Sequence, residues 1–458
     1  MPPLPAEIFK AYDIRGIVGE SLTESIVESI GKAIGSEALS LGERSVIIGR
    51  DGRLSGPVIA GALARGIQAT GCDVVDIGIV PTPLTYFATH HLGIGSAVSV
   101  TGSHNPPQYN GLKIMIAGDT LSGDRIQALR RRVEQGELAS GTGGHRTEDI
   151  RPAYRDRVTE DISLKRPLKV VIDCGNGVAG GIAPQLLRDI GCEVIDLFSE
   201  VDGTFPNHHP DPSQLENLKD VITTVSEEKA EFGMALDGDG DRLGVVSADG
   251  SVIWPDRQLL LFAQDVLQRN PGAEIIYDVK CSRVLPEAIA AAGGQPTMWK
   301  TGHSFIKAKL KETGAALAGE MSGHIFFKER WYGFDDGIYA AARLCELLAR
   351  HPESPATVFS GIPDTVSTPE LRLEMSEGEH HILIDQLIKS ARFPGGEICN
   401  IDGVRVDFEN GFGLARASNT TPTVILRFEA DDRSMLEKIQ AQFRSQLLSI
   451  RADLDLPF

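Results

Sequence analysis

Cysteines are few and follow no pattern. Cys72, Cys174, Cys192, Cys281, Cys345 and Cys399 form no C-x-x-C pair and no cluster, which argues against a disulfide framework or a thiolate zinc site. Reduced core thiols are the expected state. No apolar run approaches the length of a membrane span, and Met1-Pro2-Pro3-Leu4-Pro5 lacks the basic and apolar regions of a secretory signal, so the expected location is the cytoplasm. Positive charge is also in deficit. With 45 basic and 63 acidic residues the formal net charge is -18, which argues against nucleic acid or an anionic membrane as a main partner. An anionic small substrate would need a locally basic site. Core-forming material is plentiful: 458 residues, 41% of them hydrophobic, suit three or four domains.

A weak internal repeat suggests how that chain is divided. Val46-Ile47-Ile48 reads as a strand, followed by a Gly-rich polar turn, a helix through Ile67, the stop Thr70-Gly71-Cys72 and the strand Val74-Val75. A second copy runs from Val170-Val171-Ile172 through Asp173-Cys174-Gly175-Asn176-Gly177 and a helix to Leu187, then Ile190-Gly191-Cys192 and Val194-Ile195. The third is looser, from Ile275-Ile276-Tyr277 through Lys280 to Met298-Trp299. Each copy reads as a βαβ unit. The expected architecture is α/β: three related βαβ-containing mixed-sheet domains (1-148, 149-251 and 252-363) and a smaller α+β domain (364-458) around a central cleft. In the last segment, Val404-Arg405-Val406 and Val424-Ile425-Leu426 are strand-like. A helix is expected from Ser434, with Ser434 and Glu437 as a capping box.

After each repeat a small or apolar run ends in a distinctive loop, and ligands of open α/β sheets gather beyond such strand ends. The loop after Leu236, Asp237-Gly238-Asp239-Gly240-Asp241-Arg242, sets three carboxylates at alternating positions with glycines between them, a pattern suited to an oxygen-seeking cation such as Mg²⁺. An EF-hand is rejected because its twelfth loop position would be Ala248 and Leu243 to Val246 reads as a strand. A solvated Asp-Gly hairpin turn is the plain alternative, and three acids at that spacing weigh against it.

The loop after Val100, Thr101-Gly102-Ser103-His104-Asn105-Pro106, is by itself compatible with a capped turn. Beside the acidic loop it takes on a second reading, in which a phosphoryl group on Ser103 meets the cation and leaves for a substrate hydroxyl. His104 and Lys113 would then stabilise charge or move protons. Gly319-Glu320-Met321-Ser322-Gly323-His324 can bind sugar hydroxyls, or be simple polar surface. Arg416-Ala417-Ser418-Asn419-Thr420-Thr421-Pro422 suits a phosphate held by a guanidinium fork, or a polar hairpin tip.

These four loops, in this order, resemble those of the α-D-phosphohexomutase superfamily, and the likeness spans nearly the whole chain. Phe9-Lys10-Ala11-Tyr12-Asp13-Ile14-Arg15-Gly16 and the Gly-Glu-Met-Ser-Gly-His form of the third loop are similar to its bacterial phosphomannomutase/phosphoglucomutase branch. The resemblance implies a heart-shaped monomer whose four domains surround a deep cleft. It implies phosphoryl transfer between C1 and C6 of glucose or mannose phosphates through phospho-Ser103 and a hexose 1,6-bisphosphate. Asp237, Asp239, Asp241 and a Ser103 phosphate oxygen would hold Mg²⁺, and Arg242 would orient the phosphoserine. Lys113, His303 and Arg15 would serve proton transfer or charge stabilisation.

For the substrate, the resemblance implies Glu320 and Ser322 on sugar hydroxyls, with His324 and Tyr12 lining the cleft. Lys280 and Gly302 would lie against the substrate, and Arg416, Ser418, Asn419 and Thr420 would hold the non-transferring phosphate. The fourth domain would act as a lid. Two rival readings stand beside this one. A haloacid-dehalogenase-like phosphatase would use Asp237 as nucleophile, but Asp241 stands where Thr or Val is usual, and Ser103 would have no task. A silent sugar-phosphate-binding protein would keep Arg416 and the acidic loop without needing Ser103.

Overall fold

The computed structural model describes residues 4–458, which form four sheets with helices packed against them. In the first sheet the strand order is Ile14–Ile17, Tyr109–Ile116, Ala97–Val100, Ser45–Arg50, Asp73–Ile79 and His145–Thr147, with Asp119–Thr120 on the edge of Tyr109–Ile116. The second runs Val252–Ile253, Leu243–Ser247, Phe232–Leu236, Lys169–Asp173, Glu193–Leu197. The third runs Gln295–Trp299, Glu274–Asp278, Leu317–Gly319, Ile325–Phe327.

The repeat read in the sequence is the parallel heart of these sheets. Ser45–Arg50 pairs in parallel with Asp73–Ile79, Lys169–Asp173 with Glu193–Leu197, and Glu274–Asp278 with Gln295–Trp299. Each unit then adds an antiparallel hairpin: Ala97–Val100 with Tyr109–Ile116, Phe232–Leu236 with Leu243–Ser247, and Leu317–Gly319 with Ile325–Phe327. The three distinctive loops are the bends of these hairpins. Small and apolar residues, every one of them buried, make the strands leading into them, as expected of strands covered on both faces.

The fourth sheet is antiparallel and contains, between the two strand-like runs of the sequence, a further strand, Gly411–Ala417. Its glycines disguise it. Gly413 lies against the Phe443 ring, where an added Cβ would stand 2.3 Å from a ring carbon, so packing room rather than strand propensity decides that position. Its hairpin with Thr423–Ala430 brings residues 418–422 to the bend, the same placement as in the other three units. The last helix, Arg433–Ile450, is capped by Asp432, whose side chain accepts from Met435 N at 2.9 Å. The expected capping box of Ser434 and Glu437 is thereby corrected: Ser434 is already in the first turn, and Glu437 pairs with Arg433. The carboxylate one residue before the helix meets the free backbone N–H groups first.

One apolar core runs through the first three units, from Ile47 and Phe87 through Ile172 and Phe232 to Leu317 and Tyr339. The fourth unit has its own core around Val406, Leu426, Phe428 and Phe443. It meets the third unit through a small apolar cluster of Val279, Phe412 and Leu414 and through polar contacts, notably Arg405 donating to the carbonyls of Val279 and Cys281 and Arg427 donating to that of Lys280. No described helix is long and apolar enough to cross a membrane.

Candidate active site

The hairpin bends of the first two units meet. Ser103 has φ 50°, a left-handed conformation unusual for a residue with a side chain, and its Oγ lies 3.2 Å from Asp237 Oδ2 and 3.2 Å from His104 Nδ1. Close approach is possible because residue 238 is glycine; a Cβ there would stand 2.5 Å from the Ser103 carbonyl oxygen.

Asp237, Asp239 and Asp241 occupy the bend of a hairpin, as the plain alternative supposed, but they are fully buried rather than solvated. Each offers an oxygen within 4.8 Å of the others, and Asp239 Oδ1 has no hydrogen-bond partner. A hard divalent cation fits that donor set. Lys113 donates to Asp239 Oδ2 at 2.7 Å and to Asp241 Oδ2, and Thr82 Oγ1 donates to Asp239 Oδ2 at 2.6 Å. Burial and the two neighbouring carboxylates push Asp237 well above the usual range. Burial acts in the same direction on Asp241, but Lys113 and His324 overcome it and hold Asp241 well below that range.

Arg242 Nε lies 3.8 Å from Asp237 Oδ2 and 3.3 Å from His324 Nε2. The His324 ring stands 3.2 Å from Asp241 and 3.4 Å from Glu320, and bonds Ser322 Oγ at 2.9 Å. Burial opposes its positive charge, yet Asp241 and Glu320 keep its pKa up at about 9. His303 differs: burial and the nearby Lys307 and Lys113 hold it well below the ordinary value, and neither ring nitrogen has a hydrogen-bond partner. The Asp335 carboxylate lies 3.6 Å from His303 and 2.8 Å from Lys307. Asp241, His324 and Asp335 also lie close together, but His324 is itself positively charged, and Lys113 and Lys307 pair with the two carboxylates.

Further residues join from every unit. Arg15 donates to Asn105 Oδ1 and Asp13 Oδ2, each at 2.5 Å, and so faces the serine loop. Tyr12 packs edge-on against His303 with ring centres 5.3 Å apart. Gly302 N donates to Glu320 Oε1 at 2.6 Å. Lys280 pairs with Glu370 of the fourth unit at 2.9 Å, and Arg416 pairs with Asp402 at 3.0 Å. Ser418 accepts from the backbone of Thr420 and Thr421, each at 3.3 Å, and Asn419 lies in that same bend. Asp402 also accepts from Thr301 N at 3.0 Å, which ties the Arg416 loop to the turn before His303.

Several contributors escaped the sequence reading. Thr82, Asp335, Lys307, Asp402 and Glu370 stand alone among ordinary neighbours, and no spacing marks them. Asp51 and Arg53 carried a signal, because Gly49-Arg50-Asp51-Gly52-Arg53 follows a βαβ strand, where ligand loops are expected.

Family models agree with this four-part site. Phosphoglucomutase/phosphomannomutase alpha/beta/alpha domains I, II and III match residues 6–140, 152–250 and 254–366, and the C-terminal domain matches 370–446. The phosphomannomutase/phosphoglucomutase of Pseudomonas aeruginosa is 56% identical over 457 residues, covering 100% of this chain and 99% of that protein. The chain belongs to the phosphoglucomutase/phosphomannomutase family. The phosphoglucomutase of Neisseria meningitidis serogroup A is 53% identical over 453 residues, covering 98% of each chain. A crystal structure of a family protein from Burkholderia thailandensis, 53% identical, superposes with a TM-score of 0.95 over 99% of this chain and 100% of that one. These relatives favour the mutase reading over both the phosphatase and the binding-protein readings.

Proposed function

We propose that the protein moves a phosphoryl group reversibly between C1 and C6 of glucose and mannose phosphates, using Ser103 as carrier and a hexose 1,6-bisphosphate as intermediate. The observation that carries this reading is the 3.2 Å approach of Ser103 Oγ to Asp237 Oδ2, which joins a nucleophilic hydroxyl to a buried carboxylate triad. The four units have their boundaries near residues 148, 251 and 363, and the protein works as a monomer in the cytoplasm.

Asp237, Asp239, Asp241 and a phosphate oxygen on Ser103 would hold Mg²⁺. When bound, that ion neutralises charge on the phosphoryl group. In the forward half-reaction the phosphorus–Ser103 Oγ bond breaks as a bond forms to the sugar O1 or O6, and the hydroxyl proton passes to a base. His303 suits that task, being neutral, buried and unpartnered at both ring nitrogens. Arg15, Lys113 and Arg242 supply positive charge around Ser103, and His104 Nδ1 can exchange a proton with its Oγ.

Glu320, Ser322 and His324 bind sugar hydroxyls beside Tyr12 and Gly302. Arg416, Ser418, Asn419, Thr420 and Lys280 hold the phosphate that is not reacting. Arg416 and Lys280 rest on carboxylates here, so phosphate takes the place of Asp402 and Glu370 when it arrives. After the bisphosphate turns over, its other phosphate returns to Ser103.

The deciding experiment incubates pure protein with Mg²⁺ and glucose 1,6-bisphosphate and locates the transferred group by peptide mass spectrometry. Acid-stable phosphate on Ser103 supports the cycle. An acid-labile adduct on Asp237, or bound ligand with no adduct on a serine that began free of phosphate, refutes it.

A further inference from the structure

Arg53 lies in the turn after the strand Ser45–Arg50, and its buried guanidinium sits beneath the serine loop. A guanidinium has five N–H donors in a fixed plane. All of them are placed. Nε donates to Asp51 Oδ2 at 3.1 Å; one terminal nitrogen donates to the carbonyls of Pro106 at 2.6 Å and Tyr109 at 3.0 Å; the other donates to those of Ser103 at 2.8 Å and Asn105 at 2.5 Å. The loop is thus tied at Ser103 itself and at three residues beyond it.

Asp51 completes the arrangement from the other side. Its Oδ2 accepts from Thr101 Oγ1 at 2.8 Å and Gly102 N at 3.1 Å, and Thr101 Oγ1 in turn accepts from Ser103 N at 2.7 Å. Residue 102 must be glycine for a packing reason: a Cβ there would stand 2.3 Å from Arg53 Cζ. A side-chain-bearing residue with φ near +50° carries a conformational cost, and such a conformation persists only where its surroundings over-determine it. The Asp51–Arg53 pair supplies that surrounding for Ser103.

The same guanidinium touches the second unit. Its Cζ lies 5.3 Å from the centre of the Phe205 ring, and a Cβ on Gly203 would stand 2.6 Å from Arg53 Cα. The segment carrying the metal loop's unit is therefore seated on the residue that shapes the serine loop.

We propose that Arg53 is a positioning residue for phosphoryl transfer: it fixes the left-handed turn that aims Ser103 Oγ at Asp237 and links that aim to the docking of the Phe205 loop. Lysine keeps the charge but not the planar fork, so it satisfies only part of the carbonyl set. The inference rests on Ser103 being the carrier.

The test measures phosphorylation of dephosphorylated protein by glucose 1,6-bisphosphate with Mg²⁺, by rapid quench and intact mass, together with KM and kcat for glucose 1-phosphate. For Arg53→Lys the transfer rate and kcat fall about tenfold or more, as expected of a misplaced reacting atom, while KM stays within about twofold of the wild type. Arg53→Ala recovers part of its transfer rate on addition of free guanidinium but not of ammonium at equal ionic strength. Loss of transfer without that selective rescue, or a KM that rises in step with the fall in kcat, overturns the proposal. If neither Arg53 variant folds, Phe205→Leu decides: a slower transfer rate at unchanged KM supports the coupling, and an unchanged rate overturns it. Wild-type protein that takes no phosphate on Ser103 refutes the mutase reading and this inference together. Wild-type protein that is phosphorylated at the same rate as Arg53→Lys refutes this inference alone.

Discussion

Lys113 and Asp239 form a fully buried ion pair, with Nζ 2.7 Å from Oδ2, and the same ammonium also donates to Asp241. The strand Tyr109–Ile116 thereby places a cation on two of the three carboxylates offered by the neighbouring unit. Removing it leaves buried negative charge without compensation, at a cost of about 3–5 kcal/mol. A divalent cation binding only the folded triad restores part of that loss by mass action. Lys113→Met is therefore expected to lower the thermal midpoint strongly in chelator and much less in millimolar Mg²⁺. Equal losses in both conditions would show that Lys113 does not share the carboxylates with a metal.

Legibility in the sequence followed local density of signal. The acidic loop and the Thr-Gly-Ser-His-Asn-Pro loop were readable because each packs several reactive side chains into six residues after an apolar strand. The βαβ repeat was readable because its glycine stops recur at matching places. Arg53 carried only the signal of its place after a βαβ strand; its task was not readable, since four of its five acceptors are backbone carbonyls fifty or more residues away and carbonyls leave no trace in a sequence. Asp335 and Asp402 were hidden for a similar reason: each acts through one or two partners contributed by another segment. The strand Gly411–Ala417 was masked by glycines kept small for the Phe443 ring.

Arg416 tests the division between transferring and holding sites. A phosphate held equally in ground and transition states contributes to binding rather than to turnover. Loss of a charged hydrogen bond of about 1.5–3 kcal/mol predicts that Arg416→Ala lowers kcat/KM by roughly ten- to a hundredfold, mostly through KM. A fall confined to kcat would place Arg416 at the transferring phosphate instead.

Two glycines offer a paired test of space against conformation. At Gly238 an added Cβ would stand 2.5 Å from the Ser103 carbonyl oxygen, so Gly238→Ala must push the two loops apart. At Gly136 the backbone has φ 70° at the end of the helix Asp124–Gln135, and nothing lies near an added Cβ. Gly238→Ala is expected to reduce kcat by about a hundredfold. Gly136→Ala is expected to cost about 1 kcal/mol of stability with kcat unchanged. Steady-state kinetics beside thermal melts separate the two, and an unimpaired Gly238→Ala would contradict the close approach of the loops.

Asp336 gives a dependence of stability on pH that is independent of catalysis. It caps the helix Gly337–Arg350 by accepting from Tyr339 N at 2.8 Å, and it accepts the Tyr154 hydroxyl from the second unit at 2.8 Å. Burial pushes its pKa from 3.8 up to about 7, so between those values the folded protein holds a proton that the unfolded chain has released. Stability from this group is fully present below pH 3.8 and is lost as pH rises through about 7, at up to about 1.4 kcal/mol per pH unit. Asparagine caps a helix as well as aspartate, keeps an oxygen for Tyr154 and does not ionise. Asp336→Asn should therefore gain stability relative to wild type as pH rises from 5 to 7, with the difference levelling off above about 7, when thermal midpoints are compared across that range. A difference that stays constant with pH would mean that Asp336 is ionised in the folded protein throughout, and that the Tyr154 hydroxyl and the helix N-terminus are enough to hold its charge.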